Sequence, residues 1–482
     1  MKKLFSAFAA AILLLLAVII VRGITFPSRQ LQVAPAPPLA VDIRAAAARL
    51  SEAIRYRTVS DPKGNPEFLR FHEFLKRSFP LVHARLNLET VNRYSLLYSW
   101  IGKNPSLQPI LLMAHMDVVP VEDVTNNKWI HDGFSGDISA GFIWGRGSMD
   151  DKGSLLAILE AVEHLLAGGF MPERTVYLAF GHDEEIGGVN GAAEIAKLLD
   201  SRGARLEAVF DEGGNITRGI VPAVSAPVAL IGIGEKGYVS FELAVEGTGG
   251  HSSMPPRHTA IGVLSRAIER LENAPFPALM PGATRSFFEF TGPEMGWPMK
   301  LIPANMWLFE SLLKWQLEKS PISNAMIRTT QAVTMFESGV KDNVLPDRAR
   351  AVVNVRLITG ETITGAAEHI RRAIDDDQVK ITPLEVQVAA SPVSNPDSAS
   401  FKLLERSVRE IFPEAVVAPF LLIAATDSRY YQSLTANIFR FFPITIGPED
   451  TKRYHGINER ISLSDYERCI RFYTQLIRNY ES

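Results

Sequence analysis

Residues 175–188 read TVYLAFGHDEEIGG, an apolar β-type run that ends in three successive acids, Asp183, Glu184 and Glu185. Like charges packed at the end of a strand are costly unless a positive charge lies among them. Two divalent metal ions would supply that charge, and an exposed acidic turn is the alternative. This stretch therefore predicts a strand of an α/β sheet with one wall of a metal site at its carboxyl end.

Outward from this stretch, predicted strands alternate with predicted helices, which indicates an α/β sheet. The strands fall near 109–113, 207–210 and 228–233, and the helices near 152–167 and 192–199. Histidines and acids follow the strand ends. Because ligands bind outside the carboxyl ends of strands in open α/β sheets, we expect these side chains to share one pocket.

A glycine-rich approach to the first of these helices carries Asp150 and Asp151 at the helix start. Three interpretations compete. A phosphate loop is disfavoured, because two carboxylates repel phosphate and no Gly-Lys-Ser/Thr follows. The acids could simply complement the helix dipole. In the third interpretation Asp150 bridges two cations, with one carboxylate oxygen for each.

The pattern provides five candidate metal ligands. They are His115, Asp150, Glu185, Asp211 and His455. One shared carboxylate and two terminal ligands per ion is the count that a two-metal centre needs. Histidine and carboxylate ligation without thiolate suits a pair of zinc ions, with cobalt or manganese as substitutes. The signatures of competing hydrolases, His-Glu-x-x-His and Gly-x-Ser-x-Gly, are absent from the sequence.

Composition narrows the class of protein. The chain has 482 residues, more than one core usually organises, so two structural units are expected, one of which could be inserted in the other. Its 46% hydrophobic and 21% charged residues are typical of a globular protein. A net charge of -3 without a basic, aromatic-interleaved stripe excludes nucleic acid as the expected partner. The single cysteine, Cys469, excludes an intrachain disulfide.

The N-terminus has the pattern of a membrane-targeting segment. Lys2 and Lys3 precede an uncharged run, 4–21, which Arg22 closes. The run is just long enough to span a bilayer, so we favour an uncleaved signal anchor with an exported catalytic domain. A cleaved signal peptide, and thus a secreted protein, is the alternative. The proline-rich stretch 33–39 is interpreted as a semi-rigid tether.

The predicted domains follow from changes in pattern along the chain. Residues 1–40 are the anchor or signal with its linker, and 41–236 are the first part of the catalytic domain. Strand-like alternation from Tyr238 begins a smaller α+β unit, 237–390, and 391–482 return to the catalytic domain. Within the smaller unit, the apolar stretch from Trp297 to Trp315 is interpreted as an acyl-chain pocket, as lid core or as a membrane-facing patch.

The ordered motifs resemble those of the co-catalytic zinc metallopeptidase family that includes aminoacylase-1 and carboxypeptidase S. They are His115-Met-Asp117, Gly-Arg-Gly-Ser-Met-Asp150-Asp151-Lys, Asp183-Glu184-Glu185, Asp211-Glu-Gly-Gly and His455-Gly-Ile-Asn-Glu459. Within the family, the stretches 181–185, 250–253, 307–310, 327–330, 426–429 and 448–450 are most similar to the enzymes that synthesise and hydrolyse N-fatty-acyl amino acids.

This resemblance implies a mixed-sheet catalytic domain with an inserted α+β lid, and roles for the motif residues. Asp150 would bridge two zinc ions, with His115 and Asp211 on one and Glu185 and His455 on the other. Glu184 would be the general base, and Asp117 would orient His115.

The resemblance also implies substrate contacts from the lid and a function. The substrate-binding residues would be His251, Asn343, Arg356 and Arg429. The expected reaction is hydrolysis of the amide bond of N-acyl, and especially N-fatty-acyl, amino acids, which could also run towards synthesis. A carboxypeptidase or dipeptidase acting on short peptides is the alternative. A non-catalytic relative would be expected to lack Glu184 or a ligand, and none is missing. Relatives often form homodimers through the lid.

Overall fold

The computed structural model describes residues 1–122, 125 and 127–481. Its α-helices are α1 (Lys2–Ile24), α2 (Ile43–Ile54), α3 (Glu67–Ser78), α4 (Pro80–Arg85), α5 (Lys152–Ala167), α6 (Ala192–Ser201), α7 (Ala260–Glu272), α8 (Gly282–Thr291), α9 (Leu301–Ala304), α10 (Met306–Leu317), α11 (Pro321–Ala325), α12 (Ile363–Ile374), α13 (Ala399–Ile411) and α14 (Leu463–Asn479). Short 3-10 helices include Glu184–Ile186 and Asp427–Tyr431.

The β-strands alternate with these helices in two blocks of the chain. They are β1 (Asn87–Val91), β2 (Ser95–Trp100), β3 (Ile110–His115), β4 (Ile138–Ser139), β5 (Phe142–Trp144), β6 (Val176–Gly181), β7 (Ala208–Thr217), β8 (Val228–Glu235), β9 (Gly237–Glu246), β10 (Gly250–His251), β11 (Thr330–Ser338), β12 (Val344–Leu345), β13 (Arg348–Leu357), β14 (Lys380–Val388), β15 (Val416–Leu422), β16 (Ile438–Ile446) and β17 (Arg460–Ser462).

The largest sheet confirms the predicted mixed α/β architecture. It has eight strands in the order β1-β2-β6-β3-β7-β16-β8-β15, and β6, β3, β7 and β16 run parallel. In β3, Leu112 belongs to the core on the α5 and α14 side, and its neighbour Leu111 to the core on the α6 side. Burial on both faces explains why these strands are continuous apolar runs rather than alternating ones.

The chain leaves the catalytic domain at the end of β8 and builds a separate antiparallel sheet. Its strand order is β11-β13-β9-β14, and α7 and α12 contribute to its own apolar core. The chain returns beside its point of exit, where Ser391 N–H donates to the Glu235 carbonyl over 3.1 Å. This is an α+β unit inserted in the catalytic domain.

Helices α8 to α11 depart from the prediction that 237–390 is one unit. Phe287, Phe288 and Ile327 belong to the core of the catalytic domain rather than to that of the inserted sheet. Helix α8 lies against β15, the last strand of the large sheet. An uncovered edge strand exposes unpaired backbone groups and apolar side chains, and this helical excursion covers that flank.

The segment after α1 is fixed on the catalytic domain, which differs from the predicted tether. The Gln30 side chain accepts the Val417 N–H over 2.7 Å and donates to the Val417 carbonyl over 2.9 Å. Leu31 N–H donates to Glu405 over 2.9 Å, and Ala36 N–H to the Glu410 carbonyl over 2.8 Å. A glutamine amide therefore pairs with edge strand β15 in place of another strand.

Helix α1 has the length and composition of a membrane span. It covers 23 residues with a mean hydropathy of 3.0 over its most apolar window. Only Ile19 and Gly23 are buried. Almost all of its apolar surface is therefore available to a surrounding apolar medium.

Candidate metal centre

Loops that follow strands place the candidate ligands together. His115 is the last residue of β3, and the turn Glu184–Ile186 follows β6. The loop after β5 carries Asp150 into the start of α5, and His455 lies in the loop before β17. Parallel strands bring their carboxyl ends to one edge of the sheet, which is why segments distant in sequence meet there.

Asp150 lies between the two histidines. Its Oδ1 is 3.0 Å from His115 Nε2, and its Oδ2 is 3.1 Å from His455 Nε2. Glu185 Oε2 lies 3.1 Å from the same His455 nitrogen. Two ligand atoms that are each about 2.1 Å from one tetrahedral ion stand about 3.4 Å apart, so these spacings fit neighbouring ligands of a shared ion. Asp150 has one oxygen for each side of such a centre.

On the His115 side of the cluster the structure places Glu212, the neighbour of the predicted ligand Asp211, next to the histidine. Glu212 Oε1 lies 3.7 Å from His115 Nε2, and His115, Asp151 and Glu212 offer ligand atoms within 4.8 Å of one another. Asp211 Oδ2 instead accepts the Ser428 N–H over 2.9 Å. Successive side chains of a strand point to opposite faces, so β7 directs Glu212 towards His115 and Asp211 towards Ser428.

Asp117 links His115 to the acidic turn. His115 Nδ1 lies 3.0 Å from the Asp117 backbone oxygen and 3.3 Å from its Oδ1. The Asp117 carboxylate also accepts the backbone N–H groups of Glu184 over 3.2 Å and Glu185 over 3.0 Å, and the Ser60 hydroxyl donates to it. Asp117 thus contacts the His115 imidazole and also accepts hydrogen bonds from the turn that carries Glu184.

Glu459 shapes the loop that presents Asp150. Its Oε1 accepts the backbone N–H groups of Gly147 over 2.9 Å, Met149 over 2.8 Å and Asp150 over 3.2 Å. Its Oε2 lies 2.5 Å from Arg146 Nη1 in a buried ion pair. The motif that supplies His455 therefore also fixes the glycine-rich loop on the opposite side.

The cluster holds more negative charge than its own cations neutralise. Burial, reinforced by Asp150 and Asp151, raises the pKa of Glu212 well above its usual range. Burial likewise raises the pKa of Asp151. Among the described residues, buried oxygens of Asp151 and Glu185 have no hydrogen-bond partner. Acceptor atoms without donors and crowded carboxylates fit a centre that binds two divalent cations, and the donor set suits zinc.

Glu184 lies in this environment without belonging to either ligand group. Burial raises the pKa of its carboxyl well above the usual value, and the nearby acids Asp427, Glu185 and Asp117 add to that effect while His115 opposes it. Such an acid can hold a proton near neutral pH, as a general base must once it has accepted one.

The predicted substrate residues divide between the two domains. In the lid, His251 and Asn343 are neighbours, since Ser252 N–H donates to the Asn343 carbonyl over 3.2 Å. The Arg356 guanidinium lies 4.7 Å from the centre of the Tyr238 ring. In the catalytic domain, Arg429 Nη2 donates to the Gly187 carbonyl over 2.7 Å. Arg429 is therefore beside the acidic turn.

The two predicted carboxylate-binding arginines lack ion-pair partners among the described residues, although Asp427 and Glu184 act on Arg429 electrostatically. Within residues 1–122, 125 and 127–481, no acidic side chain forms an ion pair with Arg356 or Arg429. The structure does not bring His251 and Asn343 into hydrogen bonds with the acidic cluster among the described contacts. In this conformation the predicted lid residues therefore form no described hydrogen bond with the acidic cluster.

Comparison with known families agrees with this geometry. Residues 111–479 match the model of peptidase family M20/M25/M40. The chain belongs to this family. The M20/M25/M40 chain is 45% identical to the probable carboxypeptidase S-like 2 of Dictyostelium discoideum, over 90% of this chain and 85% of that protein. It is 42% identical to the N-fatty-acyl-amino acid synthase/hydrolase PM20D1.1 of Danio rerio, over 89% and 84%, and 33% identical to carboxypeptidase S of Saccharomyces cerevisiae, over 89% and 83%.

Solved M20 structures share the fold. The M20 family metallo-carboxypeptidase Sso-CP2 from Sulfolobus solfataricus aligns with a TM-score of 0.64 at 21% identity, covering 90% of this chain and 99% of that one. A dinuclear metal-binding M20 peptidase, the YXEP protein of Bacillus subtilis, aligns with a TM-score of 0.56 at 14% identity, covering 90% and 98%. The M20 chain thus shares their fold, with a catalytic and a lid domain, and its family membership makes it a metal-dependent hydrolase.

Proposed function

We propose that this enzyme hydrolyses the amide bond of N-fatty-acyl amino acids at a centre of two zinc ions. Asp150 carries the proposal, because its two oxygens face His115 and His455 while Glu184 lies partly buried beside them. The ions would be bound by Asp150, His115 and Glu212 on one side, and by Asp150, Glu185 and His455 on the other. The Danio rerio relative, a synthase/hydrolase of these compounds, supports the substrate class.

Different side chains would transfer the proton and stabilise the charge that develops on the substrate. Bound zinc would polarise the amide carbonyl and make water a better nucleophile. Glu184 then accepts the water proton and returns it to the leaving amine, and its raised pKa suits both steps. His251 would donate to the developing oxyanion when the lid closes, since such a donor stabilises charge that exists only in the transition state.

Two features support an acyl amino acid as substrate. Arg356 and Arg429, which form no ion pair with a described acidic side chain, can offer N–H donors to a carboxylate, which would select amides of amino acids. Beside His455 lies a pocket with apolar and polar lining residues, and its apolar part could accept a segment of an acyl chain. It is lined by Val119, Pro120, Val121, Glu122, Thr125, Trp129, Arg146, His455, Gly456 and Ile457.

Peptide hydrolysis is the second candidate. The relatives named carboxypeptidase S or carboxypeptidase S-like favour it, at 33% and 45% identity. The same arginines would then bind the free carboxylate of the peptide. A peptide carries an α-amine that an acyl chain lacks. The two substrate classes therefore differ in the group that they place beyond the amide carbonyl.

The test compares hydrolysis of N-oleoyl-phenylalanine and glycyl-leucine by the zinc-loaded chain. We expect cleavage of the acyl amino acid and a loss of about a hundredfold or more in kcat for Glu184→Gln, because the general base is removed. Preference for the dipeptide would favour the carboxypeptidase function. Activity that survives in Glu184→Gln would contradict the mechanism. Incubation of the enzyme with oleate and phenylalanine measures the reverse reaction.

We also propose that α1 anchors the enzyme in a membrane with the catalytic domain exported. Lys2 and Lys3 precede the apolar run, and basic residues are retained on the cytoplasmic side. Carbonate washing of membranes that contain the full chain tests this proposal, because a spanning helix stays in the pellet. Release of the intact chain into the supernatant would contradict it.

A further inference from the structure

Helix α10 carries four exposed large apolar side chains and only one buried residue. Leu313 is its only buried residue. Its neighbours Trp307, Leu308, Leu312 and Trp315 are exposed, Trp307 to 59% and Trp315 to 56%. We name these four residues, together with Trp297 and Met299, which are also exposed, the apolar patch: 297, 299, 307, 308, 312 and 315. A soluble surface rarely leaves such large side chains uncovered together.

The elements that carry the apolar patch are bonded to the membrane-type helix. Arg22 Nε donates to the Ala304 carbonyl over 3.1 Å, and the buried Asn305 amide donates to the Ile19 carbonyl over 3.1 Å. Gly23 lies so close to α9 that a Cβ there would stand 2.5 Å from Leu301 Cδ2. The end of α1 and the start of α10 are therefore in direct, close contact.

These contacts determine how far along the axis of α1 the apolar patch lies. From Lys3 to Arg22 the helix rises roughly 29 Å, close to the hydrocarbon thickness of a bilayer. Asn305 bonds to Ile19, one helical turn before Arg22, so the start of α10 lies roughly 5 Å on the apolar side of Arg22. Trp307 follows two positions later. A spanning α1 would place this tryptophan at the edge of the lipid.

The chain between α1 and the catalytic domain leaves little freedom to avoid this placement. The Arg29 guanidinium lies 4.3 Å from the centre of the Phe290 ring, and its Nη1 lies 3.1 Å from Glu289 Oε2. Gln30 pairs with the backbone of Val417. The catalytic domain is therefore fixed to the end of α1 within a few residues.

We propose that the apolar patch is a membrane-embedded surface that holds the catalytic domain against the bilayer beside α1. Tryptophan is enriched at the level of lipid headgroups, where an apolar ring and a polar N–H both find partners. Lys319 Nζ lies 3.3 Å from the centre of the Trp315 ring, which matches a lysine that extends from apolar surroundings towards headgroups. The occupant of the patch is phospholipid, and a second copy of the chain is the competing occupant.

Quenching of tryptophan emission by lipids brominated on the upper acyl chain tests this proposal. The full chain is reconstituted in phosphatidylcholine vesicles, with and without the bromine. Trp307→Phe is compared with Trp100→Phe, whose ring is buried in the core of the catalytic domain. Since three of the six tryptophans belong to the patch, we expect Trp307→Phe to lose about one third of the quenched emission and the control to lose none.

Trp315→Phe provides a second, independent reading, because the two exposed substitutions are mild and their effects should add. Quenching that is unchanged in both variants would overturn the proposal. Crosslinking between patch residues of two copies in the vesicles, with no loss of quenching in either variant, would assign the patch to a dimer instead and would also overturn it.

Discussion

At the scale of single residues, neighbouring acids have different surroundings because of the strand that carries them. Asp211 and Glu212 are adjacent in β7, yet Glu212 faces His115 while Asp211 accepts the Ser428 N–H. Asp150 and Asp151, which lie in the loop before α5, also have different partners. Asp150 faces both histidines, whereas Asp151 Oδ2 accepts the His115 N–H over 3.2 Å. Both members of each pair carry a carboxylate, so their residue types do not distinguish them. The direction in which the backbone points each side chain does.

Substitution of Glu212 and of Asp211 by the corresponding amide tests which of the two acids in β7 binds metal. We expect Glu212→Gln to bind about one zinc ion per chain instead of two, because an amide is a much weaker ligand than a carboxylate. Asp211→Asn should retain both ions, since its oxygen can still accept the Ser428 N–H. Elemental analysis of the gel-filtered proteins measures the ratio. The reverse result would restore Asp211 as the ligand.

At the scale of elements, one buried network joins the strand that leads to the lid with the strand that carries Glu212. Glu235, the last residue of β8, forms an ion pair with Arg440 of β16 and accepts the Thr426 hydroxyl over 2.7 Å. The Ser428 hydroxyl donates to the same carboxylate over 3.1 Å, and Ser428 N–H donates to Asp211. The start of the lid and the metal site therefore share buried partners.

Removal of one partner of this ion pair should be costly. Arg440 and Glu235 are exposed by only 1% and 2%, so Arg440→Met would leave an unpaired buried carboxylate. We expect a loss of about 3–5 kcal/mol in the free energy of unfolding, measured by urea denaturation. The double variant Arg440→Met with Glu235→Leu, which removes both charges, should recover most of that loss. No recovery would indicate that packing, rather than charge, is responsible.

The segment after α1 should give the protein a pH-dependent stability through Glu405. Burial raises the pKa of this glutamate from 4.5 to about 7, although it accepts the Leu31 N–H. The folded protein thus keeps a proton that the unfolded chain releases, so stability falls as pH rises from 4.5 towards 7 and then levels off.

Glu405→Gln should abolish this part of the pH dependence, because a glutamine does not ionise and can still accept the Leu31 N–H. We expect the melting temperature of the variant to match that of the parent near about pH 5 and to exceed it near about pH 8. Glu385→Gln, on the exposed side of β14, is the matched control. An equal difference at both pH values would contradict the raised pKa.

At the scale of the whole molecule, the metal centre lies where distant parts of the chain meet. Strands β3, β6 and β7, the loop before α5 and the loop before β17 each contribute to it. Its carboxylates repel one another when no cation lies among them, so bound metal should stabilise the entire catalytic domain.

Removal of metal by a chelator should therefore lower the melting temperature. Ligand that binds only the folded state stabilises it by about 4 kcal/mol at a thousandfold excess over Kd. Differential scanning calorimetry of the zinc-loaded and the chelator-treated chain measures the change. Glu184→Gln should show the same decrease, since Glu184 is not a proposed ligand. Equal melting of the loaded and stripped proteins would argue against a centre inside this cluster.

The sequence by itself determined the fold class, the family and the strand ends at which chemistry occurs. The apolar run 175–180 followed by acids is a local signal, because burial of a strand and the charge at its end are both encoded within a few residues. The same holds for α1, whose apolar composition needs no tertiary contact to be recognised. Motif order then brought His115, Asp150, Glu185 and His455 into one expected site, and the structure brings them together.

Only the tertiary structure decided which side chains face which partners. Strand direction in β7 turns Glu212 towards His115 and Asp211 towards Ser428, and a shift of one residue would exchange their partners. Helices α8 to α11 lie in the lid part of the sequence but pack on the catalytic domain and on α1. An apolar pattern in a helix predicts that one of its faces is buried. Which element buries that face depends on contacts between residues far apart in the chain, and no local pattern encodes them.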